Sequence, residues 1–160
     1  MKILIADDHA LFRDGLTMHL EKLVPQAVIL QAANYSQAIK LLSDNKNFDL
    51  IIADLDMQDM RWEDGLAELR RHAPEARIVV ISASEENKNI KKALELGISG
   101  YISKRAETKV MISALKLVLD GGTYLPPSII ENANTGLFND GENKNRLLTP
   151  RQTEVLGFVA

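Results

Sequence analysis

Four short apolar runs in this chain each end in side chains that can take part in chemistry. These are the carboxylates of Asp7, Asp8 and Asp54, the hydroxyl of Ser82 and the ammonium of Lys104. Carboxylates that crowd together repel one another, and a hard divalent cation such as Mg²⁺ relieves the repulsion because it takes oxygen ligands. A carboxylate held there can attack a phosphoryl group, while a hydroxyl and an ammonium offset the charge that develops. The residue types therefore indicate phosphoryl transfer onto a carboxylate, with Asp54 as the candidate nucleophile.

The runs that precede these residues have the pattern of strands buried on both faces. The run at 50–53 is wholly apolar and is closed by acids, and the runs at 2–6, 77–81 and 101–103 also end in reactive groups. Helical patterns separate the runs, which predicts an α/β fold with a doubly wound parallel sheet and helices on both faces. Ligands of such sheets lie outside the carboxyl ends of the strands. We therefore expect the acids, the hydroxyl and the ammonium to face one crevice.

The connecting segments carry the start and stop signals of helices. Apolar residues recur at helical spacing, small polar residues precede them as caps, and Pro or Gly follows them. The first helix is expected over about 10–23, and the second begins after a cap at Asn34 or Ser36. The third is expected over about 65–72, after a long polar loop at 57–64. The fourth runs from a cap at Ser84 to Gly97, and the fifth lies over about 108–119.

The last of these helices carries two apolar stripes. Met111 lies on one stripe, and Ile112, Leu115 and Leu119 form the other. One stripe is enough to cover the sheet, so the second is expected to meet a partner surface or the following segment. Deeper burial of the helix in the core explains the pattern equally well, and periodicity leaves both interpretations open.

Size and composition are those of an ordinary globular protein with one full domain and an appendage. The chain has 160 residues, a net charge of -3 and no cysteine, so it has neither a disulfide frame nor a thiolate site. No apolar run approaches the roughly 20 residues of a membrane span, and a cytoplasmic location is the natural expectation. The acidic balance argues against nucleic-acid binding by this chain itself.

The residues after Gly122 differ in composition from the rest. We expect 1–122 to form the main domain and 123–146 to be a linker, partly helical and then flexible. Thr149 and Pro150 are typical of a helix cap and a first helical position, so 147–160 is expected to open a second domain whose remainder is missing.

Each candidate residue also has a simple structural explanation. Asp8 could cap a helix, Asp54 could be a turn acid, Ser82 could end a strand and Lys104 could be a solvated loop lysine. Together, at the ends of four runs that a parallel sheet points to one crevice, they favour the functional interpretation. The three histidines, including His9, lack metal-ligand spacing and are expected to be surface or packing residues.

The order of these motifs resembles the receiver domain of two-component response regulators over about residues 1–122. Residues 121–126 and 148–156 are similar to the NarL/FixJ subfamily, whose output domain is a LuxR-type helix-turn-helix. The resemblance rests on Asp7-Asp8-His9, Asp54-Leu55-Asp56-Met57, Ser82-Ala83 and Gly100-Tyr101-Ile102-Ser103-Lys104.

This resemblance implies a flavodoxin-like five-stranded sheet in the order 2-1-3-4-5 and a phosphoacceptor switch rather than an enzyme. Asp54 would accept the phosphoryl group from a sensor histidine kinase, and Ser82 and Lys104 would contact it. Asp7, Asp8, Asp54 and the backbone carbonyl of Asp56 would hold Mg²⁺.

The resemblance also implies how the signal is read. Ser82 and Tyr101 would form the switch, and Tyr101 would rotate. The full-length protein would be a homodimer that binds DNA only through the missing carboxyl-terminal domain, of which 147–160 would be the truncated first helix. Two departures from the family pattern are Gln58, where Pro is usual, and a longer loop before Gly65.

Two other functions are compatible with the same residues. The receiver could serve only as a protein-interaction module that is never phosphorylated. Asp54-Leu55-Asp56 also matches the nucleophile motif of haloacid-dehalogenase-type phosphatases, although that motif follows the first strand in such enzymes and here it ends the third. Catalytic turnover of an external phosphomonoester would distinguish this enzyme from a switch.

Overall fold

Five parallel strands form the sheet, and its central strands are the short apolar runs expected where helices cover both faces. The computed structural model describes residues 1–129. The strands are β1 (Lys2–Ala6), β2 (Val28–Ala32), β3 (Leu50–Ala53), β4 (Arg77–Ser82) and β5 (Gly100–Ser103). Their order in the sheet is β2-β1-β3-β4-β5, which confirms the predicted doubly wound fold.

Helices cover the sheet on both faces and enclose two apolar clusters. The helices are α1 (Ala10–Leu23), α2 (Tyr35–Asp44), α3 (Trp62–His72), α4 (Asn87–Glu95) and α5 (Thr108–Leu119). One cluster packs α2, α3 and α4 against the sheet, and the other packs α1 and α5 against the opposite face.

The register of the strands aligns their carboxyl ends. Ala6 pairs with Ala53, so the next residue of each strand, an aspartate, leaves the sheet at the same level. Ser82 pairs with Ser103 in the neighbouring strands, and the backbone N–H of Lys104 donates to the carbonyl of Ser82 at 2.9 Å. The sheet therefore brings the predicted acids, hydroxyl and ammonium to one edge.

Two predicted helix starts are wrong. Helix α3 begins at Trp62 rather than Gly65, because Glu63 and Asp64 form its first turn and suit the positive end of the helix dipole. The last three of the eight residues of the expected loop are therefore helical. Helix α4 has Glu86 in the N-cap position, not Ser84.

Two predicted helix boundaries, the start of α2 and the end of α4, are confirmed. Asn34 caps α2, since its side-chain oxygen accepts the backbone N–H of Gln37 at 2.8 Å. Gly97 follows α4 with a φ of 86°, a conformation that L side chains rarely adopt.

The second stripe of α5 largely belongs to the core. Leu115 is fully buried, and Ile112 and Leu119 pack at the edge of the same cluster. This outcome favours the interpretation of a helix sunk in the core.

The chain after α5 runs along the outer edge of β5. Tyr124 forms a parallel bridge to Gly100, and Tyr124, Leu125 and Ile129 are buried. The predictions for 130–160, including the second domain, lie outside the described residues. Within residues 1–129, no helix is both long and apolar enough to cross a membrane.

Candidate functional site

Lys104 links two buried carboxylates at the carboxyl edge of the sheet. Its Nζ lies 2.7 Å from Asp7 Oδ2 and 2.9 Å from Asp54 Oδ2. Asp7 is 2% exposed and Asp54 is 1% exposed, so both charges are largely removed from water. A single ammonium therefore balances two buried acids, which leaves the site with excess negative charge.

Asp54 is held by contacts to both its backbone and its side chain. Its N–H donates to the carbonyl of Ala6 at 2.9 Å, and its Oδ1 accepts the N–H of Asp56 at 3.1 Å. Burial raises the pKa of Asp54, and the repulsion from Asp7 acts in the same direction. The hydrogen bonds from Lys104 and Asp56 oppose this shift. The carboxylate is thus fixed in place and poorly solvated, as a nucleophile requires.

Lys104 is kept charged by the acids it contacts. Burial alone lowers the pKa of its ammonium, but the hydrogen bonds to Asp7 and Asp54 outweigh burial and raise it above the ordinary value. The ammonium also lies 4.8 Å from the centroid of the Phe12 ring, in a cation–π arrangement. The side chain can therefore remain a cation beside an incoming anion.

Asp8 and His9 complete the acidic side of the site. One ligand atom from each of Asp7, Asp8, His9 and Asp54 lies within 4.8 Å of the others. The His9 Nδ1 lies 2.9 Å from Asp8 Oδ1 and 3.0 Å from Asp7 Oδ1. These contacts of His9 with the acids were not expected from the sequence, although its position directly after the acid pair was a usable signal.

The donor set fits a hard divalent cation. Three carboxylates converge, and apart from the Lys104 ammonium no donor in the described residues reaches the buried Asp7 Oδ2. Oxygen ligands of this kind suit Mg²⁺. The structure holds the Asp56 backbone next to Asp54, and the role of the Asp56 carbonyl as a ligand stays a prediction.

Ser82 and Tyr101 are buried neighbours on β4 and β5. Ser82 is fully buried at the end of β4, and its Oγ accepts the N–H of Ser84 at 3.1 Å. Tyr101 is fully buried and donates its hydroxyl to the carbonyl of Ser84 at 2.7 Å. Burial raises the pKa of Tyr101, while its hydrogen bonds to Ser82 and Ser84 oppose the shift. The two predicted switch residues therefore share Ser84 as a neighbour.

The loop after Asp54 contains a residue that the sequence reasoning did not single out. The Asp59 carboxylate accepts hydrogen bonds from the backbone N–H groups of Tyr35 and Ser36 at 3.1 and 2.8 Å, and from the Ser36 hydroxyl at 2.9 Å. The loop is thus tied to the start of α2, next to the position where Gln58 departs from the family pattern.

Several known regulatory proteins are similar to this chain in sequence. The family model described as the response regulator receiver domain matches residues 3–116. The chain is 35% identical over 143 residues to the glycerol metabolism activator of Pseudomonas putida, covering 89% of this chain and 65% of that protein. It is 31% identical to the oxygen regulatory protein NreC of Staphylococcus carnosus, covering the whole chain and 77% of that protein.

A solved structure agrees in both fold and sequence. The crystal structure of a LuxR family DNA-binding response regulator from Silicibacter pomeroyi matches with a TM-score of 0.70 at 35% identity, and it covers 80% of this chain and 98% of that chain. With the acid cluster, the lysine and the strand order all in place, the chain belongs to the receiver domain family of LuxR-type two-component response regulators.

Proposed function

We propose that this chain is the phosphoacceptor part of a response regulator, in which a sensor histidine kinase transfers a phosphoryl group to Asp54. The observation that carries the proposal is the position of Lys104, whose Nζ lies within 3 Å of both Asp7 and Asp54 at the carboxyl edge of the sheet. The Lys104 ammonium can turn to an incoming phosphoryl group, because it exchanges one anionic partner, a carboxylate, for another, the phosphoryl oxygens.

The chain's own residues account for the steps of the transfer. A carboxylate oxygen of Asp54 attacks phosphorus, the bond from phosphorus to the kinase histidine nitrogen breaks, and the imidazole keeps the electron pair. The Lys104 ammonium and the Ser82 hydroxyl stabilise the phosphoryl oxygens. Asp7, Asp8, Asp54 and the Asp56 carbonyl would hold Mg²⁺, which when bound offsets negative charge on the acids and the phosphoryl group.

The same site offers a route by which phosphorylation changes the protein. We propose that Ser82 moves toward the phosphoryl group and that Tyr101 then rotates away from Ser84, to which it is hydrogen bonded at 2.7 Å. The negative charge of the phosphoryl group would in this way alter the protein surface around β5, where Tyr101 lies.

The output of the full-length protein is proposed from its relatives. A DNA-binding response regulator and a transcriptional regulatory protein are among them, so we propose control of transcription through a domain beyond residue 146. Exposed Leu11 and Met18 lie one heptad apart on α1 and support a homodimer face. The cysteine-free sequence supports a cytoplasmic location.

Mass spectrometry of the intact protein tests the phosphoacceptor assignment. Incubation with acetyl phosphate and Mg²⁺ should give a single phosphoryl adduct, which Asp54→Ala abolishes. Asp14→Ala, which removes an exposed acid of α1, should keep the adduct. An adduct that survives Asp54→Ala would overturn the assignment, and absence of any adduct would favour a receiver used only for protein interaction.

A turnover assay tests the enzyme alternative. A phosphoacceptor switch does not hydrolyse phosphomonoesters, so it should release no phosphate from such a substrate. Sustained release of phosphate from many equivalents of para-nitrophenyl phosphate would instead favour a phosphatase of the haloacid-dehalogenase type.

A further inference from the structure

The hydroxyl of Tyr35 contacts the phosphoacceptor residue through its backbone. It donates to the carbonyl oxygen of Asp54 at 3.0 Å, in a fully buried position. Strand β3 ends at Ala53, so the Asp54 carbonyl is the first to leave the sheet. A buried carbonyl without a partner is costly, and Tyr35 supplies the hydrogen bond at this point.

The other end of the same loop is bound to the same turn of α2. Asp59 accepts the first two N–H groups of the helix, from Tyr35 and Ser36. The next N–H group, from Gln37, donates to the side chain of Asn34, and the Ala38 N–H makes the first intrahelical hydrogen bond, to the Asn34 carbonyl. The three N–H groups after the cap that lack an intrahelical partner are therefore satisfied, and two of them depend on the loop.

These contacts make the first turn of α2 a clamp that grips the loop at Asp54 and at Asp59. We propose that Tyr35 is a positioning residue of the phosphoacceptor site. Its hydroxyl fixes the backbone at Asp54, and the Asp59 contacts fix the far end, so the Asp56 carbonyl between them is held ready for Mg²⁺. This inference rests on the proposed function, because it assigns Tyr35 a role in the same site.

The ring of Tyr35 can occupy this position only because Gly65 lacks a side chain. A Cβ on Gly65 would lie 2.5 Å from ring atoms of Tyr35. The ring is thus wedged between α2 and α3, and the hydroxyl has little freedom to leave the Asp54 carbonyl.

Fixing the loop in advance should matter for cation binding. A backbone carbonyl that is already oriented loses little conformational freedom when Mg²⁺ arrives, whereas a loose loop must be ordered during binding. The loss of one hydrogen bond of this kind corresponds to roughly a three- to tenfold change in an equilibrium constant.

Tyr35→Phe tests the role of the hydroxyl, because it keeps the ring beside Gly65 and removes only the donor. Calorimetric titration with MgCl₂ should show roughly a three- to tenfold weaker Kd than in the native chain, and the rate of phosphorylation by acetyl phosphate at low Mg²⁺ should fall accordingly. The matched control is Tyr124→Phe, which makes the same change at a buried tyrosine of the other apolar cluster. It should leave both values unchanged.

Amide hydrogen exchange at Asp56 separates positioning from general destabilisation. In Tyr35→Phe without Mg²⁺, the Asp56 N–H should exchange faster while amides of β1 and β4 keep their protection. Should Tyr35→Phe lose global stability, Asp59→Ala serves as the second variant, since it releases the same loop from the exposed side. Its Kd for Mg²⁺ should also weaken.

Each outcome bears on one claim or the other. Suppose that the native chain binds Mg²⁺ and is phosphorylated. If Tyr35→Phe, or its substitute Asp59→Ala, then leaves both the Kd for Mg²⁺ and the exchange of the Asp56 N–H unchanged, the role of Tyr35 alone is overturned. A native chain that neither binds Mg²⁺ nor takes a phosphoryl group overturns the proposed function. The exchange measurement still decides whether the clamp exists, because it needs no metal.

Discussion

Lys104 Nζ lies 2.9 Å from Asp54 Oδ2, although fifty positions separate the two residues in the sequence. The parallel register produces this contact, since β3 and β5 both pair with β4 and end at the same edge of the sheet. Because Lys104 also contacts Asp7, the two buried acids depend on one cation. The Lys104 ammonium therefore serves both the stability of the fold, by balancing the buried acids, and the phosphoacceptor site that these acids form.

Replacing Lys104 by Met should destabilise the metal-free protein. The substitution leaves two buried carboxylates without a cation, and we expect the free energy of unfolding to fall by about 2–3 kcal/mol. Added Mg²⁺ should restore more stability to the variant than to the native chain. Urea unfolding with and without Mg²⁺ measures both effects, with Lys116→Met on the exposed face of α5 as the control. Equal stability of native and Lys104→Met proteins would contradict the ion-pair account.

The pKa of Asp54 predicts how stability depends on pH. Because burial raises this pKa above its ordinary 3.8, the folded protein binds the proton more tightly than the unfolded chain. Stability contributed by the protonated carboxyl is therefore lost as pH rises from the ordinary pKa through the raised one. Asp54→Asn removes this loss, so the variant should be more stable than the native chain at neutral pH. Parallel stability curves for the two proteins, measured by urea unfolding across the acid range, would show that the shift is absent.

Two glycine substitutions should act in opposite directions. Gly65→Ala places a Cβ 2.5 Å from the Tyr35 ring and should lower the free energy of unfolding by about 2–3 kcal/mol. Gly15→Ala, within α1, meets no atom within 4 Å and should raise it by about 0.5–1 kcal/mol. Thermal unfolding of both variants checks the signs. Tyr35→Leu should partly rescue Gly65→Ala, because a smaller side chain frees the space.

The segment after α5 should contribute to the stability of the domain. Tyr124, Leu125 and Ile129 are 5%, 3% and 1% exposed, and Tyr124 exchanges backbone hydrogen bonds with Ser99 and Tyr101 along β5. A chain that ends at residue 122 should be less stable than one that ends at residue 130 by about 3 kcal/mol. Urea unfolding of the two chains provides the measurement. Equal midpoints and slopes would show that the segment is dispensable.

Features that depend on short stretches of sequence were largely predictable. The apolar runs gave the strands, and the Asn34 cap and the Gly97 turn follow from the chemistry of single residues. The start of α3 cannot be predicted from the sequence, because the mostly charged segment at 61–64 is equally typical of a loop, and the packing of Trp62 against the core decides between the two.

The sequence by itself determined which reactive groups meet, because apolar runs in a parallel sheet must all end at one edge, and four of the five runs end in a group such as Asp54 or Lys104. The tertiary structure alone decided how that edge is held. Tyr35 reaches the Asp54 carbonyl, and its ring fits over Gly65, across separations of 19 and 30 positions. Such contacts depend on how α2 and α3 pack against each other, and local periodicity carries no information about the close approach of two particular side chains.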